Sequence, residues 1–146
     1  MAEIPTNILA PTDFSDVSTA AVAYAGKLAV ATGARLHLHH VVPDPVAGKT
    51  VIETPHFGYA LADAEKAGKA KLETLLDEDE RAKLSLTSWV SFGTPANEIT
   101  EYAAKNGIDL IVMGTHGRSG FEKMWLGSVT EKVLRSASCA VLVVRR

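Results

Sequence analysis

The chain carries one cysteine, Cys139, so no internal disulfide can form, and this usage suits a reducing compartment. No apolar run approaches the ~20 residues needed to cross a bilayer as a helix. The N-terminus also lacks a basic segment followed by a long apolar stretch. A soluble cytoplasmic protein is the expectation. Neither charge sign dominates, because 15 Lys and Arg stand against 17 Asp and Glu, for a formal charge of −2. Such a balance gives no electrostatic reason for a nucleic-acid or anionic-membrane partner, and the pair Arg145-Arg146 is too small a cluster to change that. Two common nucleotide signatures are missing as well. No Gly-x-Gly-x-x-Gly follows the first strand and no Gly-x-x-x-x-Gly-Lys-Ser/Thr occurs, which argues against a dinucleotide-dependent dehydrogenase or a P-loop motor. Internal repeats, linkers and low-complexity tracts are likewise lacking.

What is present is a regular alternation. At 146 residues one core suffices, and the expectation is one domain over residues 1–146. Five short apolar or β-branched runs read as strands, namely Asn7–Ala10, Arg35–Val42, Ser85–Val90, Leu110–Met113 and Ala140–Val144. Helical stretches separate them: Asp16–Thr32 closed by Gly33, about Tyr59–Leu76, one capped by Thr94 with Pro95 in its first turn and Gly107 past its end, and one beginning near Ser128 and ending before Ser136. Alternation of this kind predicts an α/β fold with a parallel sheet, right-handed crossovers and helices on both faces. The continuous run Leu110-Ile111-Val112 reads as a strand buried on both sides. Two stretches, Pro43–Gly58 and Gly114–Gly127, stand outside the scheme as long loops, which in compact domains are commonly functional.

The second of these is the more informative. Gly114-Thr115-His116-Gly117-Arg118-Ser119-Gly120 follows a buried strand, and Gly127-Ser128 then opens a helix. A phosphate chain needs several converging backbone N–H donors, and glycine allows both close backbone approach and the positive φ that turns donors inward. Gly114 and Gly117 suit that concavity. Gly127-Ser128 would add helix-end amides, the partial positive charge of the helix start and a hydroxyl. The plainer alternative is that these glycines only make turns and start a helix.

The pattern Gly-x2-Gly-x9-Gly-Ser/Thr, met by Gly114, Gly117, Gly127 and Ser128, resembles the ATP-binding signature of the universal stress protein family. Other parts agree in order: Ile8-Leu9-Ala10-Pro11-Thr12-Asp13-Phe14-Ser15 near the start, His40-Val41-Val42 at the end of the second strand, and the run from Ser128 to Arg135 leading to Val141-Leu142-Val143-Val144. Cys139-Ala140-Val141 departs from the Cys-Pro-Val of many members, at strand entry and away from the ligand. The resemblance implies an open, Rossmann-like, five-stranded parallel sheet in the order 3-2-1-4-5, with ligand at the point where the order reverses. By the same carry-over, Pro11, Thr12 and Asp13 lie at the adenosine end, with Asp13 accepting hydrogen bonds, and Val41 meets adenine through its backbone. Met113, Gly114, His116 and Gly117 line the phosphate side, and Gly127, Ser128, Val129 and Thr130 hold the phosphate tail. ATP, or AMP or ADP, would be the ligand, with Mg2+ bridging phosphate oxygens. A homodimer through the C-terminal edge strand and a nucleotide-dependent regulatory or stress-protection role are implied too. A slow Mg-dependent ATPase or adenylyl-transfer enzyme, and a nucleotide-free interaction module, stand as alternatives.

Several residues admit two readings. Asp13 suits either ligand contact or capping of the first helix. His37, His39 and His40 look like a metal cluster, yet strand alternation sends His40 to the face opposite the other two. His116 could act through its ring or only its backbone, and Arg118 and Lys123 could reach phosphate or lie in solvent. Met124, Trp125 and Leu126 suit core packing or a second subunit. Cys139 reads as a packed thiol, with no basic neighbour in its own segment to activate it.

Overall fold

The computed structural model describes residues 3–43, 55–116 and 126–145; for residues 55–60 the description is of the backbone. Its elements alternate as the apolar pattern requires. Strands β1 (Asn7–Pro11), β2 (Arg35–Pro43), β3 (Ser85–Gly93), β4 (Leu110–Gly114) and β5 (Ala140–Val144) form one sheet in the order β3-β2-β1-β4-β5. Every neighbouring pair is parallel, with Leu9 opposite both His37 and Ile111.

Helices α1 (Asp16–Thr32) and α2 (Pro55–Glu73) cover one face, where Ala21, Val22, Ala25 and Leu72 pack on Ile8, Ala10, Leu36, Leu38 and Val112. Helices α4 (Pro95–Lys105) and α5 (Ser128–Ser136) cover the other, where Ala96, Ile99, Ala103 and Val133 meet Leu9, Val41, Ile111 and Met113. Adjacent strand residues thus divide between two cores, which is why β1 and β4 read as unbroken apolar runs.

Local chemistry sets the ends. Ser15 caps α1 by accepting from the Ser18 amide, and Gly33 closes it at φ 76°, a left-handed conformation that costs glycine nothing. Gly107 sits at φ 61° just past α4. Thr94 occupies the cap position of α4 with Pro95 behind it, but its hydroxyl makes no capping bond. Asp109, at the entry to β4, accepts from the Thr6 amide and hydroxyl, both at 2.9 Å, and ties the starts of β1 and β4 together.

The boundaries differ from the sequence reading in a few places. β3 runs to Gly93, because its ladder with β2 continues to the pair Pro43–Gly93. Beyond His39, β2 has no β1 residue beside it, so Pro43 breaks no ladder on that side. Pro55–Gly58, expected in a loop, forms the first turn of α2, where a leading proline loses no hydrogen bond. A short helix, α3 (Glu78–Ala82), was not expected. It buries no residue and so leaves no apolar period to read; Asp77 caps it by accepting from the Glu80 amide at 2.7 Å.

Candidate functional site

Because the strand order reverses between β1 and β4, the chain leaves β1 toward one edge and β4 toward the other. A crevice therefore opens at their C-terminal ends. A cavity of about 590 Å³ occupies it, large enough for a drug-sized ligand.

The turn after β1 forms one wall. The Thr12 amide donates to the His39 carbonyl at 2.8 Å, and the His40 Nδ1–H donates to the Thr12 carbonyl at 2.8 Å, so β2 pins this turn twice. The Thr12 hydroxyl accepts from the Phe14 amide at 2.9 Å and lies 2.9 Å from the Ser18 hydroxyl. Asp13 Oδ1 accepts from the Ser15 amide at 3.0 Å and the Ser18 hydroxyl at 2.9 Å. Ser15, not Asp13, is the helix cap. Asp13 shapes the turn before α1 and also lines the cavity, so the two readings of it coexist. Phe14 has φ 65°, the one positive value outside glycine among the described residues. Its ring lies 4.5 Å from that of His40, centroid to centroid. Such a conformation costs about 1–3 kcal/mol and is typical of residues held at functional sites.

The opposite wall comes from β4 and α5, where Met113, Gly114, His116, Gly127, Ser128, Val129 and Thr130 all line the cavity, with Pro11 and Val41 between the walls. Gly117, Arg118, Lys123, Met124 and Trp125 lie outside the described residues. The two glycines here serve close approach and not positive φ. Gly127 caps α5 at φ −68°, and a Cβ there would sit 3.0 Å from His116 Cα. A Cβ on Gly114 would sit 2.6 Å from Val17 Cγ1 and 3.1 Å from the Val17 carbonyl. Gly114 thus seats α1 against the sheet. Gly114→Ala is expected to destabilise the fold by about 1–3 kcal/mol through overpacking, with part of the loss recovered in Gly114→Ala/Val17→Ala. Denaturant unfolding of both variants checks this; an unchanged midpoint in the single variant would show that the contact has room.

The anion-holding groups are also fewer than the sequence suggested. The Gly127 amide is spent on the Thr115 carbonyl, and the Thr130 hydroxyl donates to the Gly114 carbonyl at 2.8 Å. What remains is the start of α5. The amides of Ser128, Val129 and Thr130 have no intrahelical acceptor, since the first bond of α5 runs from the Glu131 amide to the Gly127 carbonyl; no side chain caps them, and the helix dipole adds positive character there.

Sequence reading missed residues that come from other elements: His39, His40, Phe14 and Ser18, with Gly68 and Lys71 of α2 and Pro95 and Ile99 of α4. Of these, Phe14 and His40 fall inside the motifs that carry the family resemblance, but neither was given a role in the site. His37 and His39 face α4 while His40 faces α1 and α2. His37 donates from Nε2 to Asn7 Oδ1 at 3.2 Å and accepts at Nδ1 from the Tyr102 hydroxyl at 2.8 Å. His39 is 1% exposed, with Nε2 2.8 Å from the Ser91 hydroxyl and Nδ1 without a partner among the described residues. Burial, with a smaller repulsion from His40, lowers the His39 pKa to about 4. Burial likewise lowers that of His37. Both rings are therefore neutral at pH 7. Among the described residues no three His, Cys, Asp or Glu side chains gather as a metal site. Cys139 packs beside the α4 and α5 core, and burial raises its pKa. No described helix is long and apolar enough to cross a membrane.

The family model of the Universal stress protein family matches residues 5–145. The chain belongs to the universal stress protein family. Universal stress protein MJ0531 of Methanocaldococcus jannaschii is 37% identical over 140 residues, covering 95% of this chain and 81% of that one. The solved structure of MJ0577, a universal stress protein of the same organism, superposes with a TM-score of 0.84 at 29% identity, covering 99% of this chain and 98% of the other. Universal stress protein UspA from Lactobacillus plantarum gives 0.80 at 33% identity, over 99% and 100%. The family's five-stranded α/β fold accounts for the order in which the motifs occur.

Proposed function

We propose that this universal stress protein domain binds an adenine nucleotide in the crevice and acts as a nucleotide-dependent regulator or stress-protection protein of the cytoplasm. The observation that carries this reading is the pairing of a 590 Å³ cavity with an uncapped helix start on its wall. Pro11, Thr12, Asp13 and Val41 would hold the adenosine half, and Met113, Gly114 and His116 the path to the phosphates. Gly127 would leave the space that a phosphate group occupies, with Ser128, Val129 and Thr130 donating through the α5 amides. Two proteins of this fold support the chemistry. One universal stress protein was solved with cAMP (TM-score 0.64, 24% identity) and another, from Archaeoglobus fulgidus, with dAMP (TM-score 0.65, 20% identity). A nucleotide bound here would adjust the walls of the cleft and so a partner interaction. Mg2+ would be held by phosphate oxygens and water. Pairing of two chains along β5, an edge strand of half-buried Val141–Val144, belongs to the same reading.

Identifying by mass the nucleotide released from purified, denatured protein tests the proposal, followed by phosphate release after Mg2+ is added. Co-purified ATP, ADP or AMP that persists without phosphate release is the expected result. Steady release would make the protein a slow ATPase. No bound nucleotide and no association at millimolar ATP would leave an interaction module.

A further inference from the structure

Among the described residues lining the crevice, Lys71 is the only lysine or arginine and Asp13 the only carboxylate. Lys71 lies on α2, in an element for which the nucleotide motifs assign no role. We propose that the Lys71 ammonium is a side-chain charge with which this cleft selects phosphorylated ligands over bare nucleosides. This deepens the nucleotide-binding reading above and rests on it.

Three observations support the assignment. First, Lys71 has no ion-pair partner among the described residues. Ala67 and Gly68 stand one turn before it in α2, and Thr74 and Leu75 follow just past the helix end, none of them acidic. Lys69, two residues earlier and on a different side of α2, pairs with Glu65 at 3.3 Å. Of the three lysines of α2, only Lys69 is ion-paired among the described residues, and of the three only Lys71 lines the crevice. Second, the amine is placed and not loose. Its Nζ lies 5.3 Å from the centroid of the Phe14 ring, a cation–π contact, and that ring is turned into the crevice wall by the positive φ at residue 14. Third, the other described residues that line the crevice include no second lysine or arginine. Besides the α5 amides, the polar groups near the β1 turn are occupied by each other, and the His39 ring is neutral at pH 7.

A point charge at the rim of a partly enclosed cavity attracts phosphate whatever the base. Its effect should therefore grow with ligand charge and shrink with salt. The test is calorimetric titration of the wild-type chain, Lys71→Met and Lys71→Arg with adenosine, AMP, ADP, ATP and inorganic tripolyphosphate, at two salt concentrations. In Lys71→Met, ATP affinity should fall about tenfold, or about 1.4 kcal/mol. AMP should fall less, adenosine within about twofold of wild type, and the gap should narrow at high salt. Lys71→Arg should restore most of the loss. Methionine keeps the apolar stem and Lys71 is exposed, so melting temperatures should match the wild type. Equal ATP affinity in wild type and Lys71→Met overturns the assignment, as does a loss equal for adenosine and ATP, which marks packing and not charge. If wild type binds no nucleotide, the functional reading fails. Tripolyphosphate then decides on Lys71 alone: weaker binding in Lys71→Met sustains an anion site, and equal or absent binding overturns it.

Discussion

Replacing Gly127 with aspartate should lower adenine-nucleotide affinity by about 100-fold or more, about 2.8 kcal/mol, while leaving the sheet and both cores folded. Two effects add. The new Cβ lies 3.0 Å from His116 Cα and 3.3 Å from His116 Cβ, so the turn after β4 must give by a few tenths of an ångström. The carboxylate then enters the crevice at the start of α5, where a phosphate would sit, and like charges close together in a partly enclosed site repel strongly. Gly127→Ala separates the two. Its φ of −68° suits any residue, so alanine brings only the steric displacement and should cost about tenfold or less. Titration calorimetry with ATP reads both variants, and circular dichroism verifies the fold. Wild-type affinity in Gly127→Asp would remove this end of α5 from the site.

The second large effect concerns acid. Unfolded, His39 titrates near 6.5; folded, near 4, because burial disfavours the charged ring. Above pH 6.5 both states are neutral and the full stability is present. As pH falls below 6.5 the unfolded chain binds the proton first, and stability drops by about 1.4 kcal/mol per pH unit until the folded ring also protonates. His39 alone then costs about 2 kcal/mol by pH 5 and about 3 kcal/mol by pH 4, and His37, shifted the same way, adds to it. Urea unfolding at pH 7 and pH 5 measures the loss in a range where most carboxylates stay ionised. His39→Gln, which keeps a partner for Ser91 and cannot titrate, should flatten the slope. An unchanged slope in that variant would show that His39 is not the group responsible.

Much of the fold was legible. Periodicity located all five strands and the four larger helices, because each buries a face that leaves a period in the sequence. α3 escaped because it buries nothing, and only Asp77 and its acidic first turn signalled it. Pro55–Gly58 was misread because proline and glycine also begin helices. In the candidate site, Gly114 and Gly127 of the glycine signature line the crevice, but with other local roles than the sequence suggested. Gly114 was read as a phosphate cradle, yet its hydrogen fills the gap against Val17; Gly127 was read as a donor, yet its amide is spent on Thr115.

The chain by itself therefore determined the alternation, the two-faced sheet, the family and the segments that meet at the strand-order reversal. These depend on local propensity, side-chain period and residues close in sequence. The tertiary structure decided which groups face the crevice and which are already engaged. His39 and Lys71 reach it from different elements, Asp13 shares its carboxylate with the turn, and the Thr130 hydroxyl turns back to Gly114. Hydrogen-bond commitments of this kind depend on distances between parts of the chain far apart in sequence, and no short pattern records them.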